Sequence, residues 1–449
     1  MRARLHLHVY SLSHRLLRAL GAFAAASLAC GPVSAVQDQS ALPVPLTLDF
    51  AIATGTQGTH PALLAAQAER GVAEAELEYA QSSYALESSL SLTAGWVQPN
   101  ELALDQTHDD HIAQLNLRKV LYDFGVTGGR VNAAENLIRA SQFEYQYAQQ
   151  IQVVNIARHF FEVLLTDLKY AWDNENMAMH YVQFDKIRER HRLQQVSDIE
   201  LLRSENLYLS ARTQRNASET MQRTSRALLA IAINRPGDLA ADLERPSMNS
   251  ITRSLPELDE LVAAAVGKNL EMQARKNRET AAYQQLEAAR KRIRPTLDAT
   301  FQFSEYSRLT PNRDDARARL NLVIPLNEHG LQRREVAETR AEWLQASAAV
   351  QQLEVTLRSK VAELWQQLNR LQIKQQELDV AEQRSELELD RARGEYELEM
   401  ITDLGDAMVD TSRVKYERAK NDFEQALAWM NLYLLIGENP EKILKQDGA

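Results

Sequence analysis

The segment LNLRKVLYDFG, Leu115–Gly125, returns as LNLVIPLNEHG, Leu320–Gly330, with five of eleven positions identical at an offset of 205 residues. Without gaps, the same offset sets VSDIELL from Val196 against ITDLGDA from Ile401, and the IAIN ending at Asn234 against the IGEN ending at Asn439. Upstream, at an offset of 209, His60-Pro61-Ala62-Leu63 falls against Asn269-Leu270-Glu271-Met272. A single shift held over so long a span marks an internal duplication, and each copy must be read as one structural unit.

Each quoted segment closes a pair of alternating stretches. In the first copy Leu90, Leu92, Ala94 and Trp96 alternate with Ser89, Ser91, Thr93 and Gly95, and Ala113, Leu115 and Leu117 alternate with Gln114, Asn116 and Arg118. In the second copy Leu297, Ala299, Phe301 and Phe303 alternate with Asp298, Thr300, Gln302 and Ser304, and Ala318, Leu320, Leu322 and Ile324 stand against Arg317, Arg319 and Asn321. Period two predicts strands with unlike faces, each about ten residues long, the length a tilted strand needs to cross a bilayer. Polar links, Gln98 to Asp110 and Glu305 to Asp315, close two hairpins. Four such strands cannot form a barrel in lipid, where the smallest have about eight, so at least two chains are required.

Helices fill the rest. No proline occurs from Asn100 to Arg235 or from Leu326 to Asn439, and Arg130 to Arg235 lacks glycine as well. Apolar residues keep helical spacing there, as in Phe161, Leu165, Leu168 and Trp172, or Leu364, Leu368 and Leu371. The first copy reads as a long helix from Thr127 to Val196 and two shorter ones, His60 to Glu87 and Asp198 to Arg235; the second repeats this with Gly330 to Ile401, Lys268 to Arg294 and Thr402 to Glu438. The two short helices match the long one in summed length, so the simplest packing stacks them end to end beside it.

Composition narrows the function. The 449 residues carry a formal charge of −10, and the first 35 hold Arg2, Arg4, Arg15 and Arg18 with no acid, then an apolar run from Ala19 to Ala29 and Val33-Ser34-Ala35 as a cleavage site. Residues 1–35 are therefore expected to be a secretory signal peptide. The acidic remainder lacks the basic face that nucleic acid requires. Cys30 is the single cysteine, which rules out an internal disulfide, and inside the signal region it is a weak lipid-attachment candidate. No Gly-rich phosphate loop, zinc motif or nucleophile-base-orienter set is present, so no enzyme, cofactor or metal is expected. His108-Asp109-Asp110-His111 reads as a polar hairpin loop, and His159, His180 and His191 share no helical spacing and read as incidental.

The doubled unit, the LT-L-D and HP-A-L-L openings from Leu46 and His60, the paired YDFG and NEHG segments and the VSDIELL and ITDLGDA turns together resemble the TolC-like outer-membrane efflux proteins, over essentially the whole chain after the signal. The resemblance implies a mainly α fold with a small β part. Residues 36–449 would form one domain of repeat 1 (46–236) and repeat 2 (255–440), with equatorial segments near 236–259 and at both termini. It further implies a homotrimer with a twelve-stranded barrel in outer membrane lipid and a helical tunnel through the periplasm. Such a conduit serves efflux or type I secretion together with a periplasmic adaptor (membrane fusion) protein and an inner-membrane transporter of RND, ABC or MFS type. The alternative is a periplasmic coiled-coil structural or adaptor protein without a pore, which has no use for four lipid-length strands.

Several residues are singled out on this basis. Asp403 and Asp406 stand three apart on one helix face, either as acids of a cation-selecting tunnel entrance or as helix N-terminal capping charges. Ser197, Asp198 and Thr402 read first as N-caps of the return helices and second as adaptor contacts. Arg118, Arg317 and Arg319 are expected to face the barrel lumen and tune conductance. Two departures from the family pattern bear on shape: Gln194 and Glu399 stand where a glycine usually precedes each periplasmic turn, and only the second copy supplies a strand-exit proline, Pro325.

Overall fold

A computed structural model describes residues 42–246, 254–308, 310–311, 313–326, 330–398 and 404–443; the expected signal region with Cys30, and Glu399, Thr402 and Asp403, lie outside them. From Val44 onward the chain forms one unit. Its helices are α1 (Leu48–Gly55), α2 (Pro61–Ser82), α3 (Val126–Arg192), α4 (Asp198–Ala232), α5 (Leu258–Lys268), α6 (Leu270–Lys291), α7 (Leu331–Glu397) and α8 (Leu404–Leu435), followed by a 3-10 turn at Pro440–Ile443. The strands are β1 (Glu87–Thr93), β2 (Ile112–Tyr122), β3 (Thr296–Tyr306) and β4 (Ala316–Val323).

Helices α3 and α7 are 67 residues each, which at about 1.5 Å per residue gives rods of roughly 100 Å. The caps explain where the shorter helices break. Asn269 alone separates α5 from α6: its Oδ1 accepts from the Met272 N–H at 2.9 Å, while its Nδ2 donates to the Leu435 carbonyl of α8 at 3.1 Å. One side chain thus starts α6 and closes the end of α8. The first-copy junction uses other chemistry, with Gln152 of α3 donating to the Ala232 carbonyl at 2.8 Å and lying 3.1 Å from Nε2 of His60, the N-cap of α2. In each copy, therefore, two short helices stack end to end at the middle of a long one, as helix lengths in the sequence suggest.

Helix α3 lies at the centre, with α2 and α4 packed on one side and α6 and α8 on the other; α7 packs against α5, α6 and α8. Burial follows this order. α3 buries fifteen residues along its length, α7 only seven. The densest core sits at the junction level, where Phe161 of α3 stacks on Phe423 of α8 with ring centroids 4.7 Å apart, alongside buried Ile156, Leu229, Met272 and Leu368. The segment after α4 and the start of the described chain join there: the Leu46 N–H donates to Asp242 O and the Glu244 N–H to Leu46 O, both at 2.9 Å, and Arg245 reaches Asp422 of α8 at 3.1 Å. Two short helices, α1 and α5, occupy this belt where the sequence reading had none.

Among the described residues three helices end with a left-handed residue: Gln194 after α3, Asn234 after α4 and Gly437 after α8. Each end has the paired bonds that satisfy the last carbonyls, as in Arg235 N–H to Ala230 O at 2.8 Å and Glu438 N–H to Tyr433 O at 2.9 Å. These positions correct one detail of the repeat. Asn234 and Gly437 are 203 apart, whereas the long helices both start and end 205 apart. The return helix of the second copy ends two residues earlier than the 205-residue offset requires, so Gly437 matches Asn234 and not Ala232.

The strands form one antiparallel sheet in the order β1-β2-β3-β4. β2 and β3, with eleven residues each, are close to the length anticipated, but β1 has seven and β4 eight. The β1 ladder lapses at Ala94 and resumes as a bridge between Trp96 and Asp109. β4 stops before Pro325, which has no N–H to give a ladder.

Gly437 generates a direct prediction. A Cβ there would lie 2.2 Å from the Lys268 carbonyl oxygen, at a φ of 76° that side chains disfavour. Gly437→Ala is expected to cost at least about 2 kcal/mol, read as a lower urea midpoint of the helical circular dichroism signal, while Asn234→Gly holds or raises it.

Candidate functional site

Period-two alternation and the pairing register together sort the sheet into two faces. Leu115 pairs with Leu90 and Phe303, Leu117 with Phe301, and Phe301 with Ala318, so one face is apolar across all four strands. The other carries Ser89, Asn116, Gln302 and Arg317 in one row and Glu87, Arg118, Thr300 and Arg319 in the next. The apolar face is uncovered, with Phe301 47% and Leu322 60% exposed, while Asp298 on the polar face is 4% exposed. The three arginines singled out from the sequence are thus brought to one face. Arg118 stands 3.8 Å from Asp298, whose other oxygen accepts from Asn321 Nδ2 at 3.0 Å.

Among the described residues no strand lies beside the outer edges of β1 and β4. Each exposes a row of backbone donors and acceptors beside the bare apolar face, an arrangement that favours pairing with further strands.

At the strand exit into α3 the YDFG motif becomes legible as chemistry. Asp123, buried, accepts from the Tyr84 hydroxyl at 2.8 Å, the Gly125 N–H at 3.1 Å and the Thr127 N–H at 2.6 Å. Burial pushes its carboxyl upward, but these donors outweigh it and hold the group below the usual carboxylate range. Phe124 and Gly125 both take positive φ to turn the chain. Asp123 therefore fixes the angle at which the longest helix leaves the sheet. The sequence reading used the motif only as a resemblance and missed this role, although an Asp before a Phe-Gly turn at a helix start is a capping signal.

At the opposite end, Ser197 is the N-cap of α4, its Oγ accepting from the Glu200 N–H at 3.3 Å. Asp198 is not a cap: it is the first helical residue, and its Oδ1 lies 2.7 Å from Nε2 of His191 across the turn. His191, read as incidental from sequence, is the partner that ties α3 to α4. Gln194 adopts φ 58°, the conformation for which glycine is usually chosen, so a side chain is accommodated there at a strain cost. Asp406 is exposed in the first turn of α8; its neighbour Gly405 sits against Met179 of α3, where a Cβ would come within 3.1 Å.

The loops above the sheet are tied together rather than free. Arg313 forks onto Asp110, with Nη2 to Oδ2 at 2.9 Å, and lies over the Tyr306 ring. This hydrogen-bonded guanidinium holds the Asp110 carboxyl below its ordinary range. His108 stacks on Trp96 with centroids 5.5 Å apart. Among the described residues no group of three or more His, Cys, Asp or Glu side chains could hold a metal ion, and no described helix is long and apolar enough to cross a membrane.

Removing the Asp123 side chain tests its role. Asp123→Ala is expected to destabilise by about 1–2 kcal/mol and lower the melting temperature. Because its folded-state titration is depressed, the wild type should hold this advantage at neutral pH and lose it as pH falls below about 4, so the two melting curves converge there.

No family model matches the sequence, and no curated protein matches it. Solved structures do. The outer membrane protein VceC of Vibrio cholerae superposes with a TM-score of 0.68 at 18% identity, covering 87% of this chain and 96% of that one. The CmeC outer membrane channel of Campylobacter jejuni gives 0.70 at 14% identity over 87% of this chain and 85% of that one. The open-state MtrE outer membrane channel of Neisseria gonorrhoeae gives 0.68 at 14% identity over 89% and 91%. Long paired helices capped by a small, unclosed antiparallel sheet are therefore the TolC-like fold of these outer-membrane channel proteins, shared by this chain along nearly its whole described length.

Proposed function

We propose that this chain is an outer-membrane channel subunit, three copies of which form a conduit across the periplasm for efflux or type I secretion. The observation that carries the proposal is the unclosed four-stranded sheet, with its apolar face bare, mounted on helices of roughly 100 Å. Three copies supply twelve strands, within the range of closed membrane barrels.

The helices support the same ring. α7 ends the helical order on one side and exposes Ile373, Val380 and Leu387 at seven-residue spacing; α2 and α4 end it on the other and expose Val72, Tyr79, Ile199, Leu202 and Leu209. The α7 side of one copy and the α2/α4 side of the next make a head-to-tail contact that closes on rotation. β4 leads into α7 and α2 leads into β1, so the contact that seats these helices also brings the open β4 edge to the next copy's β1 edge.

Within this reading Arg118, Arg317 and Arg319 line the barrel, and Asp403 and Asp406 border the periplasmic entrance as an acidic ring that prefers cations. Ser197, Asp198 and Thr402 mark the tip where a periplasmic adaptor docks, and an inner-membrane pump of RND, ABC or MFS type delivers cargo and energy. Cys30 is kept as a minor lipid-anchor candidate. The chain itself performs no chemistry on its cargo.

Detergent-extracted protein should run as a trimer and conduct through one pore in planar bilayers; a soluble, non-conducting oligomer would favour a periplasmic adaptor instead. Phe301→Arg or Leu322→Arg should block assembly, since a guanidinium facing mid-bilayer lipid costs about 2–4 kcal/mol per copy, while Gln302→Arg should assemble normally. Asp403→Ala with Asp406→Ala should weaken cation preference; unchanged preference would return both acids to helix capping.

A further inference from the structure

The polar face of the sheet is not uniformly polar, because its charge is concentrated by register. Arg118 of β2 stands opposite Glu87 of β1 and Thr300 of β3, and Thr300 stands opposite Arg319 of β4. The next row toward the loops adds Arg317 and no acid. The three guanidiniums differ in how far they are neutralised. Arg317 is held by Asp314 at 2.7 Å, and Arg118 has buried Asp298 at 3.8 Å. Arg319 is exposed and has no ion-pair or hydrogen-bond partner among the described residues. Lys119, one residue from Arg118, pairs with Ala299 on the apolar face and so lies outside this set.

We infer that the row through Arg118 and Arg319 is a charge filter inside the barrel that favours anionic solutes, above all those bearing a carboxylate or sulfonate. The inference rests on the trimeric conduit proposed above. In a ring of three copies the row repeats Glu87, Arg118, Thr300 and Arg319, two guanidiniums to one carboxylate; Asp298 of the adjacent row stands against Arg118, so Arg319 is the guanidinium that no acid among the described residues pairs. Arg118 and Arg319 are two strands apart, about 10 Å, close enough for a solute to pass from one to the other. A guanidinium matches a carboxylate or sulfonate in two parallel hydrogen bonds, so these groups are favoured over a spherical anion. The reach of the row depends on salt: the Debye length is about 30 Å at 0.01 M and about 3 Å at 1 M. The filter acts in series with the acidic entrance, so it is read in the change a substitution causes and not in the sign of the wild-type selectivity.

The test is the chloride-to-potassium permeability ratio of the full-length protein in planar bilayers, taken from reversal potentials at low and high salt. Arg118→Gln with Arg319→Gln should lower the ratio roughly twofold or more near 0.01 M and leave it nearly unchanged near 1 M, where screening hides the row. Arg319→Gln alone breaks no described ion pair and should shift the ratio in the same direction. Arg118→Lys with Arg319→Lys should preserve the ratio for chloride but weaken block of the current by an added aromatic sulfonate. Lys119→Gln removes the same charge from the opposite face and should leave the ratio as it was. A ratio unmoved by the glutamine variants, or moved equally by Lys119→Gln, would overturn the filter. A wild-type protein that conducts nothing would defeat the conduit itself and the filter with it, a result distinct from either.

Discussion

Backbone groups at a sheet edge must find partners, and in hydrocarbon each one that fails costs several kcal/mol. β1 and β4 present two such edges, on a sheet whose apolar side chains share one bare face and whose polar side chains share the other. Among the described residues every strand is already in the sheet, so none is left to cover either edge. Other features answer to this constraint: the unequal burial of α3 and α7, the apolar stripes on the outermost helices, and the coupling of each edge strand to the helix on its own side.

The helical part is organised by how helices end. A rod of 67 residues has no internal stop, and its position is set by the residues at its two ends and at its middle. Asp123 sets the departure from the sheet; Gln152, His60 and Asn269 set the level at which the short helices meet; Ser197 and the His191–Asp198 pair set the return. The aromatic stack of Phe161 on Phe423 and the belt segments gather at the middle level. Buried contacts thus gather at the middle level, while Ser197 and Asp198 at the described tip turn are exposed.

Much of this was legible in the sequence because it depends on periodicity. Alternation over the strands assigned Leu115, Phe301 and Leu322 to one face and Arg118, Gln302 and Arg319 to the other, and pairing in the structure agrees. Long stretches without proline or glycine gave the helices and their stacking. What escaped was not periodic. The short helices α1 and α5 span eight and eleven residues, too few turns to stand out. Gln194, Asn234 and Phe124 hold positive φ without being glycine, so their left-handed backbone was not legible, although the turn after Gln194 was anticipated from the VSDIELL repeat. His191 shares no helical spacing with the other histidines because its partner, Asp198, lies across a turn and not along a face. That α8 ends two residues early was hidden by Asn234 and Asn439, which align in sequence but not in structure.

The central claim is that the free edges of β1 and β4 meet each other between copies in lipid. Hydrogen exchange of the protein reconstituted in liposomes, followed by mass spectrometry across Glu87–Thr93 and Ala316–Val323, measures this directly. The account predicts that the amides of both edge strands are protected as strongly as those of β2 and β3, and become exposed when the oligomer is dissociated. Rapid exchange along β1 and β4 in the intact, membrane-embedded protein would show that the edges remain open, and would contradict it.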